Sequence, residues 1–429
     1  MNVAALTVGH GIGAGEPPGP RGPDGTRTRI PSSPMRPIRK RPVRKRPVWG
    51  PAPVRRCLAA VALGLALLGS AGCGGGTAEG AGRVELPPAN PEAVRHYTSA
   101  NRALARGNLQ RARNQYRRAL EIDPNLWEAH VNLGILERRE GNLDAAKTEL
   151  EAALAIQPVA QETLLAAAEV AYAMEDEDGA IAYLRTLLEH HPDDMSARVS
   201  LAVILRGAER YDDALEQARE VLIRDPSQLR ALLEVARVYR AQEQWDVSRL
   251  VLDKALALSQ EDDARMRAEI LTERGLLELS RGDTQAAFDA FEGAIAADAD
   301  FHPARMNMGS VLLRAGDYAG AKEQYDAVLA RDDDDLAARV ALGVALRGLG
   351  EPRQAKREFD RVLRAQPDHP DALFDLGILE AEFLDQRPRA RQTFERFLAT
   401  APRRHPGRER AEQYLQEIPA PGGANGGGG

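Results

Sequence analysis

Cysteine is almost missing from this sequence: among 429 residues there are two, Cys57 and Cys73, both ahead of residue 74. A disulfide framework is excluded, and everything after Cys73 can fold in a reducing or an oxidising compartment. Aromatic residues are scarce at 5%, while Ala, Leu, Glu and Arg abound, a balance that favours helices over sheets. Long apolar runs are lacking too. The most apolar stretch, residues 57–69, is thirteen residues long, too short to span a bilayer as a helix. There is no His-Glu-x-x-His, no Gly-x-x-x-x-Gly-Lys-Ser/Thr loop and no nucleophile elbow, so the enzyme classes built on those motifs are not expected. The net charge of −6 conceals an asymmetry: residues 1–72 hold 12 Lys/Arg against 2 Asp/Glu, which leaves −16 on residues 73–429. An acidic body repels phosphate backbones, so no nucleic-acid partner is expected.

The first ninety residues read as an address. Residues 1–34 are rich in Gly, Pro and Arg without periodicity, and no fold is expected there. A basic stretch from Arg36 to Arg56 leads into the apolar run 57–69, which suits a signal-peptide core. The run ends in Ser70-Ala71-Gly72-Cys73. This resembles a bacterial lipoprotein signal, in which small residues precede a cysteine that is lipidated, although Ser70 stands where Leu is usual. The resemblance implies Cys73 as the lipid attachment site. Gly74, in place of an Asp, implies an outer-membrane lipoprotein facing the periplasm. The alternative is a plain secretory signal cleaved after Ala71 or Gly72, giving a soluble periplasmic protein. Met35 is a second candidate start, giving a signal of more usual length. Residues 73–92 then form a Gly- and Pro-rich flexible tether that reaches about 20–25 Å.

From there a period of thirty-four takes over. Ala112, Ala146, Ala180, Ala214 and Ser248 are evenly spaced; after a five-residue insertion, 263–267, the series resumes at Ala287, Ala321, Ala355 and, one residue late, Ala390. Upstream runs a companion series of small residues: Ala100, Gly134, Ala168, Ala202, Ala236, Gly275, Gly309, Gly343 and Gly377. These mark the closest approach of two paired helices. Four places after each Ala stands a large side chain, Tyr116, Leu150, Leu184, Leu252, Phe291, Tyr325, Phe359 or Phe394, with Ala218 the exception. Pro124, Pro158, Pro192, Pro226, Pro367 and Pro402 end the second helices. Gly107, Gly141, Gly282, Gly316 and Gly350 mark the turns within repeats.

These positions resemble the tetratricopeptide repeat across residues 93–403. The resemblance implies an all-α, right-handed superhelical solenoid of helix-turn-helix repeats: five over 93–262, the insertion 263–267, and four over 268–403. The insertion is expected to lengthen a helix or bend the solenoid. An amphipathic segment within 404–418 is expected to cap the last repeat, with Leu415 and Ile418 on its buried face. The Gly-rich tail 419–429 is expected to lack structure.

The family resemblance also places the fifth, ninth and twelfth residues of each repeat on the concave face. Here those places give an apolar set, Val131, Ile135, Val199, Val203, Met306, Val340, Val344, Phe374 and Ile378. They also give an arginine set, Arg138, Arg206, Arg240 and Arg347, with Arg237 nearby. Arginine forks bind carboxylates in bidentate fashion and apolar floors accept a helix or strand, so the expected partner is a protein segment carrying apolar and acidic residues. In the alternative, the aliphatic residues are buried between helices and the arginines pair with neighbouring Glu. His190-His191 and Asp332–Asp335 read as a helix end and an acidic turn rather than metal sites. No cofactor, metal or small-molecule substrate is expected. The clamp that grips chaperone C-termini is not matched, because Asn101 stands in its place without the Lys. The layout resembles that of pilotin lipoproteins, so the leading expectation is a lipid-anchored, non-enzymatic scaffold for a pilus, secretion or motility complex. The alternative is an adaptor of a peptidoglycan-acting enzyme.

Overall fold

The computed structural model describes residues 84–260 and 263–418. The basic leader, the apolar run 57–69, Cys73 and the tail 419–429 lie outside them. Among the described residues there are nineteen α-helices, one π turn and no strand. The first eighteen helices form nine antiparallel pairs: α1 (Pro91–Ala105) with α2 (Leu109–Ile122), α3 (Trp127–Arg139) with α4 (Leu143–Ile156), α5 (Gln161–Ala173) with α6 (Glu177–His190), and α7 (Met195–Gly207) with α8 (Tyr211–Arg224). Next come α9 (Leu229–Ala241) with α10 (Trp245–Leu258), α11 (Ala264–Arg281) with α12 (Thr284–Ala297), and α13 (His302–Ala315) with α14 (Tyr318–Leu329). The last pairs are α15 (Leu336–Gly348) with α16 (Pro352–Ala365), and α17 (Pro370–Ile378) with α18 (Arg387–Thr400); α19 (Arg408–Glu417) closes the array.

Side-chain volume dictates how each pair closes. A Cβ added to Gly343 would lie 2.5 Å from the Phe359 ring, and Gly275, Gly309 and Gly377 meet Phe291, Tyr325 and Phe394 in the same way. Where the first helix carries Ala, as at Ala168, Ala202 and Ala236, the facing residue is Leu184, Ala218 or Leu252. The small residue therefore makes room chiefly for the large side chain, and the second-helix Ala packs beside it. Gly134, facing Leu150, also lies near the Ala146 carbonyl. The turn inside every repeat passes through positive φ. Gly fills that place in five repeats, and Glu175, Glu209, Glu243 and Asp385 hold it at φ 67°, 58°, 60° and 51° in the other four. Side chains of Asn108, Asp176, Asp283 and Asp317 then cap the second helices by accepting a backbone N–H.

Most first helices pack on the next first helix, α3 on α5 and then each in turn from α7 through α17, whereas no two successive second helices do so to a similar degree. The stack is tighter on the first-helix side and curves with that side inward. The insertion resolves as a longer helix: α11 has 18 residues against 13 in α9. Stacking continues through it, since Arg249 of α10 reaches Glu278 of α11 at 3.4 Å, and Arg281 reaches Asp246 at 3.4 Å. The extra residue of repeat nine is absorbed by the π turn Leu379–Phe383 that follows α17, the usual way an α-helix takes in one residue.

One boundary and one buried face differ from the sequence reading. The tether does not extend to residue 92, because α1 begins at Pro91 and the chain from Val84 is docked. Val84 N donates to Gln157 Oε1 at 3.1 Å, Gln157 Nε2 donates back to the Val84 carbonyl at 2.6 Å, and Asn90 N donates to Asp123 Oδ2 at 2.8 Å. In the capping helix the buried side chains are Ala411 and Tyr414, with Ile418 just beyond it; Leu415 is only half-buried. Tyr414 stacks on Phe394 at 4.8 Å.

Candidate functional site

The inward face is built from first helices, and most of its expected apolar floor lies beneath the surface. Val131, Val199, Met306, Val340, Val344 and Phe374 are buried in the junctions between repeats. Phe374 packs against Phe394, Phe397 and His405. Val203 and Ile378 are half-buried, and Ile135 is the accessible member at 37% exposure.

Every arginine of the expected row meets a carboxylate of the next first helix. Arg138 pairs with Glu169 at 2.5 Å, Arg206 with Glu234 at 2.8 Å, Arg240 with Glu273 at 2.6 Å and Arg347 with Asp375 at 2.9 Å. Arg237 holds Glu234 within its own helix and reaches Glu269 and Glu273 on α11 at 2.8 and 3.1 Å. The face is thus a row of ionic ties between repeats. Both Arg206 and Arg240 make theirs through Nε, which leaves their Nη atoms for a further acceptor.

The carboxylates differ in their electrostatics. Burial alone raises the pKa of Glu273, but Arg240 and Arg237 outweigh it and hold the pKa down to about 2. Glu234 is shifted in the same direction by Arg206 and Arg237 against its burial. For Glu169 and Asp375 burial wins, and their single arginines leave the pKa raised. The centre of the array, at repeats five and six, is therefore the most firmly ionised part of the face. The sequence held a signal for these partners: Glu234 follows Arg206 by 28 residues and Asp375 follows Arg347 by 28. Glu273 follows Arg240 by 33, the same step plus the insertion.

At the N-terminal end the face is uncharged. Asn132 Nδ2 donates to the Tyr97 hydroxyl at 3.1 Å and to Asn101 Oδ1 at 3.4 Å, and the Tyr116 hydroxyl donates to the same oxygen at 2.5 Å. Burial pushes the Tyr116 hydroxyl well above the usual phenol range, so it remains a donor. His190 ends α6 on the surface. In the acidic turn, Asp335 caps α15 and Asp333 pairs with Arg339 at 2.7 Å. Among the described residues, no three His, Cys, Asp or Glu gather where they could hold a metal ion, and no helix is long and apolar enough to cross a membrane.

Nine stacked helix pairs with a continuous first-helix face define the class: a helical-repeat solenoid. Sequence models of the tetratricopeptide repeat match residues 128–159, 165–228, 205–263, 233–300, 278–346, 312–376 and 371–403, and a TPR repeat model matches 100–137. The chain belongs to the tetratricopeptide repeat family, whose arrays are scaffolds for protein–protein interaction. No curated relative matches it in sequence. A solved tetratricopeptide repeat protein from Parabacteroides merdae is similar in fold, with 16% identity and a TM-score of 0.53 over 60% of this chain and all of that one. The Cut9–Hcn1 assembly of the APC/C gives 13% identity and a TM-score of 0.47, covering 77% of each chain. PilW, a type IV pilus biogenesis factor, gives 17% identity and a TM-score of 0.43 over 52% of this chain and all of PilW.

Proposed function

We propose that this scaffold works in the bacterial envelope, tied to the outer membrane through a lipid on Cys73 and helping to assemble a pilus, secretion or motility complex. The signal-like stretch ending at Cys73 supports the anchor. Radiolabelled palmitate should enter the wild-type chain and not Cys73→Ala; equal uptake would remove the anchor from this reading.

The partner is a protein segment carrying acidic residues, received on the inward face, where Ile135 is the accessible member of the expected apolar floor. The observation that carries this is the Nε-only pairing of Arg206 and Arg240, which keeps each guanidinium's terminal nitrogens for a ligand carboxylate. Lysine at both places keeps the charge beside Glu234 and Glu273 but loses the fork. Proximity labelling in the native cell identifies the partner, and pull-down with Arg206→Lys/Arg240→Lys should then recover much less of it. Unchanged recovery would reject the groove reading. Pore or pilus subunits among the labelled proteins support assembly work, whereas a peptidoglycan hydrolase or synthase would favour an adaptor role.

A further inference from the structure

The second helices present their outer faces through four positions per repeat, spaced i, i+4, i+8 and i+11 and lying opposite the core Ala. In α16 these are Arg353, Arg357, Arg361 and Arg364, all exposed. No other repeat has more than one basic residue at the four places; repeat seven, for example, has Ala319, Glu323, Ala327 and Ala330. Like charges on successive turns weaken their own helix, and among the described residues only Arg361 of the four has a carboxylate beside it, Glu358 at 3.5 Å. In α8 the same four places hold Asp212, Glu216, Glu220 and Ile223, all exposed, with Ile223 at 73%. The basic residues of α8 and of its N-cap do not neutralise them. Arg210 pairs with Asp213, Arg224 with Asp193, and Arg219 bonds the Tyr239 hydroxyl. The one basic stripe of the array and its most acidic one thus occupy identical registers, four repeats apart.

We propose that two copies of this chain associate through these faces, α16 of one against α8 of the other. With the helices antiparallel, their dipoles oppose favourably. Each carboxylate then meets an arginine fork, and the aliphatic stem of an arginine lies over Ile223. Each copy contributes a different surface, so the contact either forms twice about a two-fold axis in a closed, isologous pair or propagates head to tail from copy to copy. The matched register within one sequence favours a second copy over an anionic membrane or an unrelated acidic protein.

Sedimentation velocity of the full chain at rising concentration tests this. Wild type should associate, at least about tenfold more weakly in about 0.5 M salt than in about 0.05 M. Reversing the basic stripe (Arg357→Glu/Arg361→Glu/Arg364→Glu) or the acidic one (Asp212→Arg/Glu216→Arg/Glu220→Arg) should each weaken association by about a hundredfold or more. Mixing the two variants should restore it, because each then offers the other an opposite stripe. Circular dichroism verifies that both variants stay helical, and the salt response of wild type serves if either does not. A chain that is monomeric at all concentrations overturns the proposal. So does association that neither reversal alters, or a monomer whose basic stripe binds phosphatidylglycerol vesicles instead.

Discussion

Gly343 and Phe359 are fitted to each other, so enlarging one should be felt through the other. Gly343→Ala should cost about 2 kcal/mol by forcing a Cβ into the ring. Adding Phe359→Leu should recover part of that loss, because Ala168 with Leu184 and Ala236 with Leu252 already combine those sizes. Urea unfolding of the single and double variants measures the coupling; strict additivity would refute it. Two other residues are held at a cost. Glu209 sits at φ 58° where other repeats have Gly, so Glu209→Gly should raise the melting temperature, by the equivalent of about 0.5–1 kcal/mol. The Thr163 hydroxyl is buried without a hydrogen-bond partner, at the place held by Ala129, Ala197 and Ala231 in neighbouring repeats. Thr163→Ala should therefore stabilise by about 1 kcal/mol, and a lower melting temperature would contradict that. The repeat pattern made the small and large series legible separately. Their matching was visible only as a fixed step of sixteen residues, as from Gly343 to Phe359. Glu209 was not legible as a positive-φ residue, since a polar side chain in a turn leaves no other trace of its backbone.

At the scale of the helix, the ties between neighbouring first helices decide stability. Glu273 lies almost fully buried between Arg237 and Arg240. Glu273→Gln should destabilise the junction of repeats five and six by about 3 kcal/mol, since it leaves the partly buried Arg240 guanidinium without its carboxylate and takes one of three from Arg237. Hydrogen exchange should quicken in α9 and α11 well before α3 or α15; uniform exchange would count against local ties. The arginines of this row stood out in the sequence because they recur at one place in the repeat. Their carboxylates showed only as the step of 28 residues from Arg206 to Glu234 and from Arg347 to Asp375; Glu169 lies 31 from Arg138, at another place in the repeat, and becomes a partner only once adjacent repeats stack. The same stacking hid the apolar floor. Val340 and Val344 share a helix face with groove positions, yet the next first helix covers them.

Across the whole molecule these shifted carboxyls set the response to acid. Glu234 and Glu273 have pKa values below the ordinary 4.5, so their stabilisation is complete above that value and is lost as pH falls through the lowered values, about 2 in the case of Glu273. Glu169 and Asp375 are raised by burial. The folded state takes up their protons more readily than the unfolded chain, so stability rises slightly as pH falls through those raised values. Thermal unfolding should therefore change little, or improve, on going from neutral pH toward 5, then decline steeply below about 4. A monotonic decline beginning at neutral pH would show that these groups do not govern it.

The docked segment at Val84 also has a mechanical meaning. Gln157 grips that backbone by two hydrogen bonds at the end of α4, a full repeat beyond the helix that the segment leads into. Tension on the chain ahead of Val84 is therefore delivered first to the second repeat, and α1 and α2 lie in the slack between Asn90 and that grip. The terminal pair of a solenoid is ordinarily the first to peel. Here the load path bypasses it, and the end of the array nearest any tether is shielded until the Gln157 clasp slips.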